Sequence, residues 1–191
     1  MRNRAHLLIF LFALVFLAGS TGCEKSGVQA ARDTDLTAQK ILSLDDEKFL
    51  VAAERAELRQ NTLAQQAEQR SKSAKIQAFA TKVTNDMSVA LTELKDLMKA
   101  KNLAEPAAFA AEVHSEAAVL LSRASDEAFD HQFISLMSAE GQDAVRIFDP
   151  TAETAADPDV RNYARRVVPS LRANYDKASD LEKTLAEKPA Q

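Results

Sequence analysis

From Ile76 to Met98, apolar residues return at steps of three and four without a break: Ile76, Phe79, Ala80, Val83, Met87, Ala90, Leu91, Leu94, Leu97 and Met98. That spacing lines one face of an α-helix; a strand would need a period of two. It predicts a helix over about 73–100, with a stripe that must be buried against other helices. Three further long stripes follow the same rule. One starts at Ser43, where the hydroxyl and Asp45-Asp46 make a loose capping box, and runs through Phe49, Ala53, Ala56, Leu63 and Ala67 to Arg70. Its middle, Glu57 to Gln60, is polar for a core-facing helix. Another opens at Ser125 and runs through Phe129, Phe133, Leu136, Met137, Ala144, Ile147 and Phe148 to Asp149, where Pro150 is expected to end it or loosen it. The last is capped by Asp157 with Pro158 in its first turn, and continues through Tyr163, Val167, Leu171, Ala178 and Leu181 to Leu185. Pro169 inside it removes one backbone bond and predicts a kink near Arg165. A short helix from Pro106 to Arg123 lies in the middle connection. Four glycines and five prolines leave little for the turns of a sheet protein. The expectation is an all-α, ferritin-like up-down four-helix bundle with one short extra helix in the middle connection.

The first residues have a different character. Arg2 and Arg4 precede the apolar run Leu7–Ala18, which is followed by Gly19, Ser20, Thr21, Gly22 and the single cysteine, Cys23. The run of about twelve residues is short for a membrane span, which needs roughly 20 helical residues. A basic start, a short apolar core and small residues form an export signal that is cut off. The lone cysteine after the small residues resembles the acceptor of a bacterial lipoprotein signal. The chain thus divides into a signal at 1–22, a polar tether at 23–42, a helical domain at 43–187 and a tail at 188–191. Two or more acyl chains on Cys23, at about 0.8 kcal/mol per buried CH₂, would hold the protein on a membrane. Glu24 after the cysteine, where Asp would favour the inner membrane by resemblance to such lipoproteins, points to the outer membrane, facing the periplasm. The alternative is a soluble periplasmic protein cut at the same place.

Removing residues 1–22 would take two arginines away and shift the net charge from −4 to −6. An acidic domain without a clustered basic face is not a nucleic-acid binder. Nothing resembles a nucleophile elbow, a glycine-rich phosphate loop or a CxxC pair, so no catalytic residue is assigned. His114 and His131 are expected at the surface. Glu54, Glu57, Asp86, Glu140 and Asp143 could form an acidic cluster, although a solvated face is the plainer expectation. Arg161, Arg165, Arg166 and Arg172 are expected to pair with acidic neighbours.

The segments AFATKVTNDM (Ala78–Met87), SDEAFDHQFISLM (Ser125–Met137) and DPDVRNYARRVVPSL (Asp157–Leu171) resemble the bacterial family known as domain of unknown function 4142, over Ser43 to about Asp180. The resemblance implies a ferritin-like fold. It also implies interior ligand-type positions that fall here on Gln60, Asp86, Met87, Gly141 and Asn174. Where the family often carries a Glu and three His, this chain has an amide, a thioether, a hydrogen and a second amide, so no metal or other cofactor is carried over. Met87 is expected to pack toward room left by Gly141. The functional expectation is a non-catalytic binding or structural protein of the envelope, taking an envelope protein or a small ligand. The alternative is a ferritin-like metal-binding or oxidative-stress protein that uses acidic residues.

Overall fold

The computed structural model describes residues 42–104, 108–122 and 124–187, with the side chain of Glu127 excepted. The signal, Cys23, the tether before Leu42, the start of the short helix at Pro106 and the tail at 188–191 lie outside the described residues. Residues Ile41–Gln191 make one compact unit. It consists of α1 (Leu44–Arg70), α2 (Ala74–Ala100), α3 (Phe109–Ser122), α4 (Asp126–Thr154) and α5 (Pro158–Ala186), with no strand among the described residues.

Each long helix buries positions spaced alternately by three and four. In α1 these are Leu50, Ala53, Glu57, Gln60, Ala64 and Ala67; in α5 they are Val160, Ala164, Val167, Leu171, Asn174 and Ala178. This is the seam of a helical bundle, in which inward residues stack in layers. α1 packs on α2, α3 and α4, while α5 packs on α4 and α2.

Aromatic contacts fix the helix directions. Near the start of α1, Phe49 lies 5.0 Å from Phe148 of α4 and 6.5 Å from Tyr163 of α5, ring centre to ring centre. At the opposite end Phe79 of α2 meets Phe133 of α4 at 6.1 Å, and Phe129 stacks on Phe133 at 6.4 Å. α1 with α2, and α4 with α5, are therefore antiparallel hairpins. α2 and α4 run the same way, because α3 carries the chain back between them. Arg70 ties down that return: its guanidinium covers Phe129 at 4.2 Å and donates to the carbonyls of Leu121 at 2.8 Å and Ala124 at 3.0 Å.

Three caps form where expected. Ser43 accepts from the Asp46 amide at 3.1 Å, Ser125 from Ala128 at 3.3 Å, and Asp157 from Asp159 at 2.8 Å and Val160 at 3.4 Å. Asp46 does not complete a capping box. Its buried carboxylate instead reaches across the chain to the amides of Ala156, at 3.3 Å, and Asp157, at 2.9 Å. Pro150 does not end its helix either; α4 continues to Thr154. Proline deletes one donor, but at an exposed turn water can take the freed carbonyl. The last carbonyls are held from outside the helix: Arg161 donates to Ala155 at 2.6 Å and Arg165 to Ala152 at 2.7 Å. Cations at a helix C-terminus also suit its dipole. α5 is unbroken through Pro169, which is exposed.

Lys101 closes the end of α2 onto the start of α5, 2.9 Å from Asp157 and 2.6 Å from Asp159. Burial alone would raise the Asp157 carboxyl. The ammonium of Lys101 and the amides of Asp159 and Val160 outweigh it and hold the group below its ordinary 3.8. A depressed acid contributes stability above its unfolded value and loses it as pH falls through the folded one. Asp157→Ala is expected to cost about 2 kcal/mol near neutral pH in denaturant titrations, from the lost cap and the stranded ammonium. The difference from the wild type should shrink below about pH 4.

Candidate functional site

A row of polar side chains occupies the middle of the bundle. On α1, Glu54, Glu57, Gln60 and Asn61 are all buried. Their spacing keeps them on one side of the helix, in or beside the seam. Tyr163 and Asn174 of α5 are buried opposite, and Met87 of α2 and Gly141 of α4 complete the interior layer. The structure thus places Gln60, Met87, Gly141 and Asn174 inside, with Asp86 at the edge, its side chain 25% exposed.

Two polar knots form there. In the first, the phenol of Tyr163 donates to Glu57. Burial pushes the Glu57 carboxyl from its ordinary 4.5 up to about 8; the Tyr163 bond pulls it down, and the charges of Glu54 and Glu93 add to the rise. Burial, followed by the charge and bond of Glu57, pushes the Tyr163 phenol upward as well. At neutral pH Glu57 is therefore held mainly as the neutral acid, which is how a carboxyl survives in a core without a cation. Its second oxygen, and both amide atoms of Gln60 one turn on, have no hydrogen-bond partner among the described residues. Each such group costs about 1–3 kcal/mol.

The second knot holds Asp86 and Asn174. Lys82 places its ammonium 2.6 Å from Asp86 and 3.0 Å from the Asn174 carbonyl, while the Asn174 amide donates to Asp86 at 3.0 Å. Each partner is engaged by the other two. Lys82 belongs to the best-marked helix of the chain, yet its role had no sign in the sequence: a lysine one turn before an aspartate is an ordinary surface pair.

The five acids form neither one cluster nor the solvated face expected for them, since Glu54 and Glu57 are buried in the seam. Glu140 pairs with Arg59 at 2.5 Å and Asp143 with Arg146 at 2.7 Å, apart from the buried Glu54 and Glu57. Among the described residues no group of three His, Cys, Asp or Glu is placed to hold a metal ion. Amides, a thioether and a glycine hydrogen offer a divalent cation no adequate donor set. His114 and His131 are exposed, with the His114 ring 2.5 Å from the Thr62 hydroxyl. On α5, Arg166 pairs with Glu93 at 3.0 Å, Arg172 with Asp149 at 2.6 Å and Arg165 with Glu153 at 3.5 Å, while Arg161 serves a carbonyl instead. Gly141 makes room, though not for Met87: a Cβ there would lie 3.1 Å from Cβ and 3.2 Å from Cα of Tyr175. What the glycine admits is the close approach of α5.

The family described as "Domain of unknown function (DUF4142)" matches residues 31–181, and the chain belongs to it. Among solved structures, the chain is similar to the "Crystal structure of DUF305 fragment from Deinococcus radiodurans". The two are 18% identical with a TM-score of 0.59, over 75% of this chain and 98% of that one. That likeness is one of fold. No curated protein matches the chain.

A buried acid raised above its unfolded value costs stability as pH climbs between the two, by about 1.4 kcal/mol per unit. Denaturant titrations should show stability falling between pH 4.5 and about 8. Glu57→Gln keeps the acceptor for Tyr163, and should flatten that slope and be the more stable protein at pH 8. Gly141→Ala gains about 1 kcal/mol of helix propensity and loses about 1–3 to overpacking. The melting temperature should fall by a few degrees.

Proposed function

We propose that this protein is a lipid-anchored component of the bacterial envelope, held through acyl chains on Cys23 at the outer membrane and facing the periplasm, with a non-catalytic binding or structural role. The anchor is supported by the basic start, the short apolar run Leu7–Ala18 and the lone cysteine after small residues. Among the described residues no helix is long and apolar enough to cross a membrane. The proposed helix order is ferritin-like, supported by two antiparallel hairpins joined through one long crossover that contains α3.

One observation carries the non-catalytic reading: the buried Asn174 and Asp86 at the edge of the bundle are both engaged by the Lys82 ammonium. With a lysine from the surface already on them, these two side chains serve the scaffold rather than a ligand. Binding then falls to the surface and its grooves.

Mass spectrometry of the N-terminal peptide from membranes should find acylated Cys23 as the first residue; an unmodified Cys23 or a retained 1–22 would overturn the anchor. Elemental analysis after native purification should find no stoichiometric iron, manganese or zinc. A bound metal that also raises the melting temperature would favour the metal-storage or oxidative-stress reading, with Glu54 and Glu57 as its first suspects.

A further inference from the structure

Four inward positions of the bundle lie in one layer, and the contacts of their sequence neighbours fix this. Arg59, just before Gln60 on α1, holds Glu140 of α4 at 2.5 Å, and Gly141 follows Glu140. Gly141 packs on Tyr175 of α5, whose Cβ lies 3.1 Å from where a Cβ on the glycine would be, and Asn174 precedes Tyr175. The Asn174 amide donates to Asp86 of α2 at 3.0 Å, and Met87 follows Asp86. Gln60, Met87, Gly141 and Asn174 therefore stand at one height, and all four are buried.

This layer is poor in side-chain volume. Gly141 contributes no side chain, and Asn174 turns to the bundle edge, where Lys82 and Asp86 engage it. One turn further along each helix the inward residue is an alanine: Ala64, Ala90, Ala144 and Ala178. Polar groups, by contrast, are in surplus. Both amide atoms of Gln60 and Oε2 of Glu57 are buried without a hydrogen-bond partner among the described residues. Glu57 and Gln60 are three apart on α1, so their side chains are neighbours on one face. Oε1 of Glu57 already accepts from the Tyr163 phenol, which leaves the proton of the neutral acid on Oε2, with no acceptor among the described residues.

We propose that the waist of the bundle is an internal hydration site, in which Glu57 and Gln60 bind water. One water accepts from Oε2 of Glu57 and donates to Oε1 of Gln60. The carbonyl and amino groups of an amide point apart, so Nε2 of Gln60 donates to a second water. Buried waters occupy polar, roomy sites and satisfy groups that the protein itself leaves unpaired. An apolar guest would leave all three atoms bare, at the full cost of their desolvation. A divalent cation would meet a protonated carboxyl and an amide, which are poor donors for it. The site is independent of the lipid anchor and of any surface partner.

The test uses the chain from Glu24 onward, which retains the whole helical unit, at mildly acidic pH. Relaxation dispersion of the water oxygen counts long-lived internal waters without interference from exchanging hydroxyl protons. The wild type should hold at least one more such water than Gln60→Met, in which an apolar side chain of similar length replaces the amide. Gln69→Met, at an exposed glutamine of the same helix, should keep the wild-type count. A crystal structure of the wild type should place ordered water at hydrogen-bond distance from Oε2 of Glu57 and Oε1 of Gln60. An unchanged count in Gln60→Met, or an equal fall in Gln69→Met, would overturn the proposal. So would a Gln60 amide bonded directly to a protein group, or density at the short distances of a metal ion. Should Gln60→Met fail to fold, the wild-type crystal structure decides.

Discussion

The bundle is organised around the cost of burying polar groups in its own seam. Where the inward positions of α1 and α5 would ordinarily be apolar, this chain places Glu57, Gln60 and Asn174. Each costs stability unless it finds a partner, and the amide of Gln60 finds none among the described residues. Glu57 finds one and is neutralised as well, because Tyr163 hydrogen-bonds it and burial keeps it protonated. Asn174 is answered by Lys82 and Asp86. These partnerships fix which helix faces which, and so specify the arrangement, at the expense of stability that a purely apolar layer would have supplied.

That deficit is offset at the two ends. Phe49, Phe148 and Tyr163 close one end with ring contacts at 5.0–6.5 Å, and Phe79, Phe129 and Phe133 close the other. Buried aromatic pairs contribute about 0.5–1.5 kcal/mol beyond their area. Charged groups then lock the connections: Arg70 at the α3–α4 turn, and Asp46, Lys101 and Asp157 where α2, α4 and α5 meet. Gly141 serves the same end by letting α4 and α5 approach closely at Tyr175. The ends are thus firm, while the waist keeps polar atoms without a partner among the described residues, both amide atoms of Gln60 and one oxygen of Glu57.

Much of this was legible in the residues and some was not. The helices were legible because a period of three and four survives any tertiary context, and the caps at Ser43, Ser125 and Asp157 because capping is settled within a few residues. Glu57 and Gln60 already stood out as polar on a face that had to be buried. Pro150 misled, since the groups that hold the α4 terminus, Arg161 and Arg165, come from the next helix. Asp46 misled in the same way, having an ordinary local role available and taking a distant one. Glu57 and Tyr163 lie 106 positions apart, and nothing in either neighbourhood announces the other.

The sequence by itself determined that this chain makes amphipathic helices, where most of them begin, and which faces they bury. These follow from local sterics and the helical period. Only the tertiary structure decided which buried polar groups meet, that Lys82 meets Asp86 and Asn174 together, and that α2 closes with Asn102 in the left-handed conformation. Those outcomes depend on distances between helices that no local rule sets, because the energy of a buried charge is fixed by whatever packs against it.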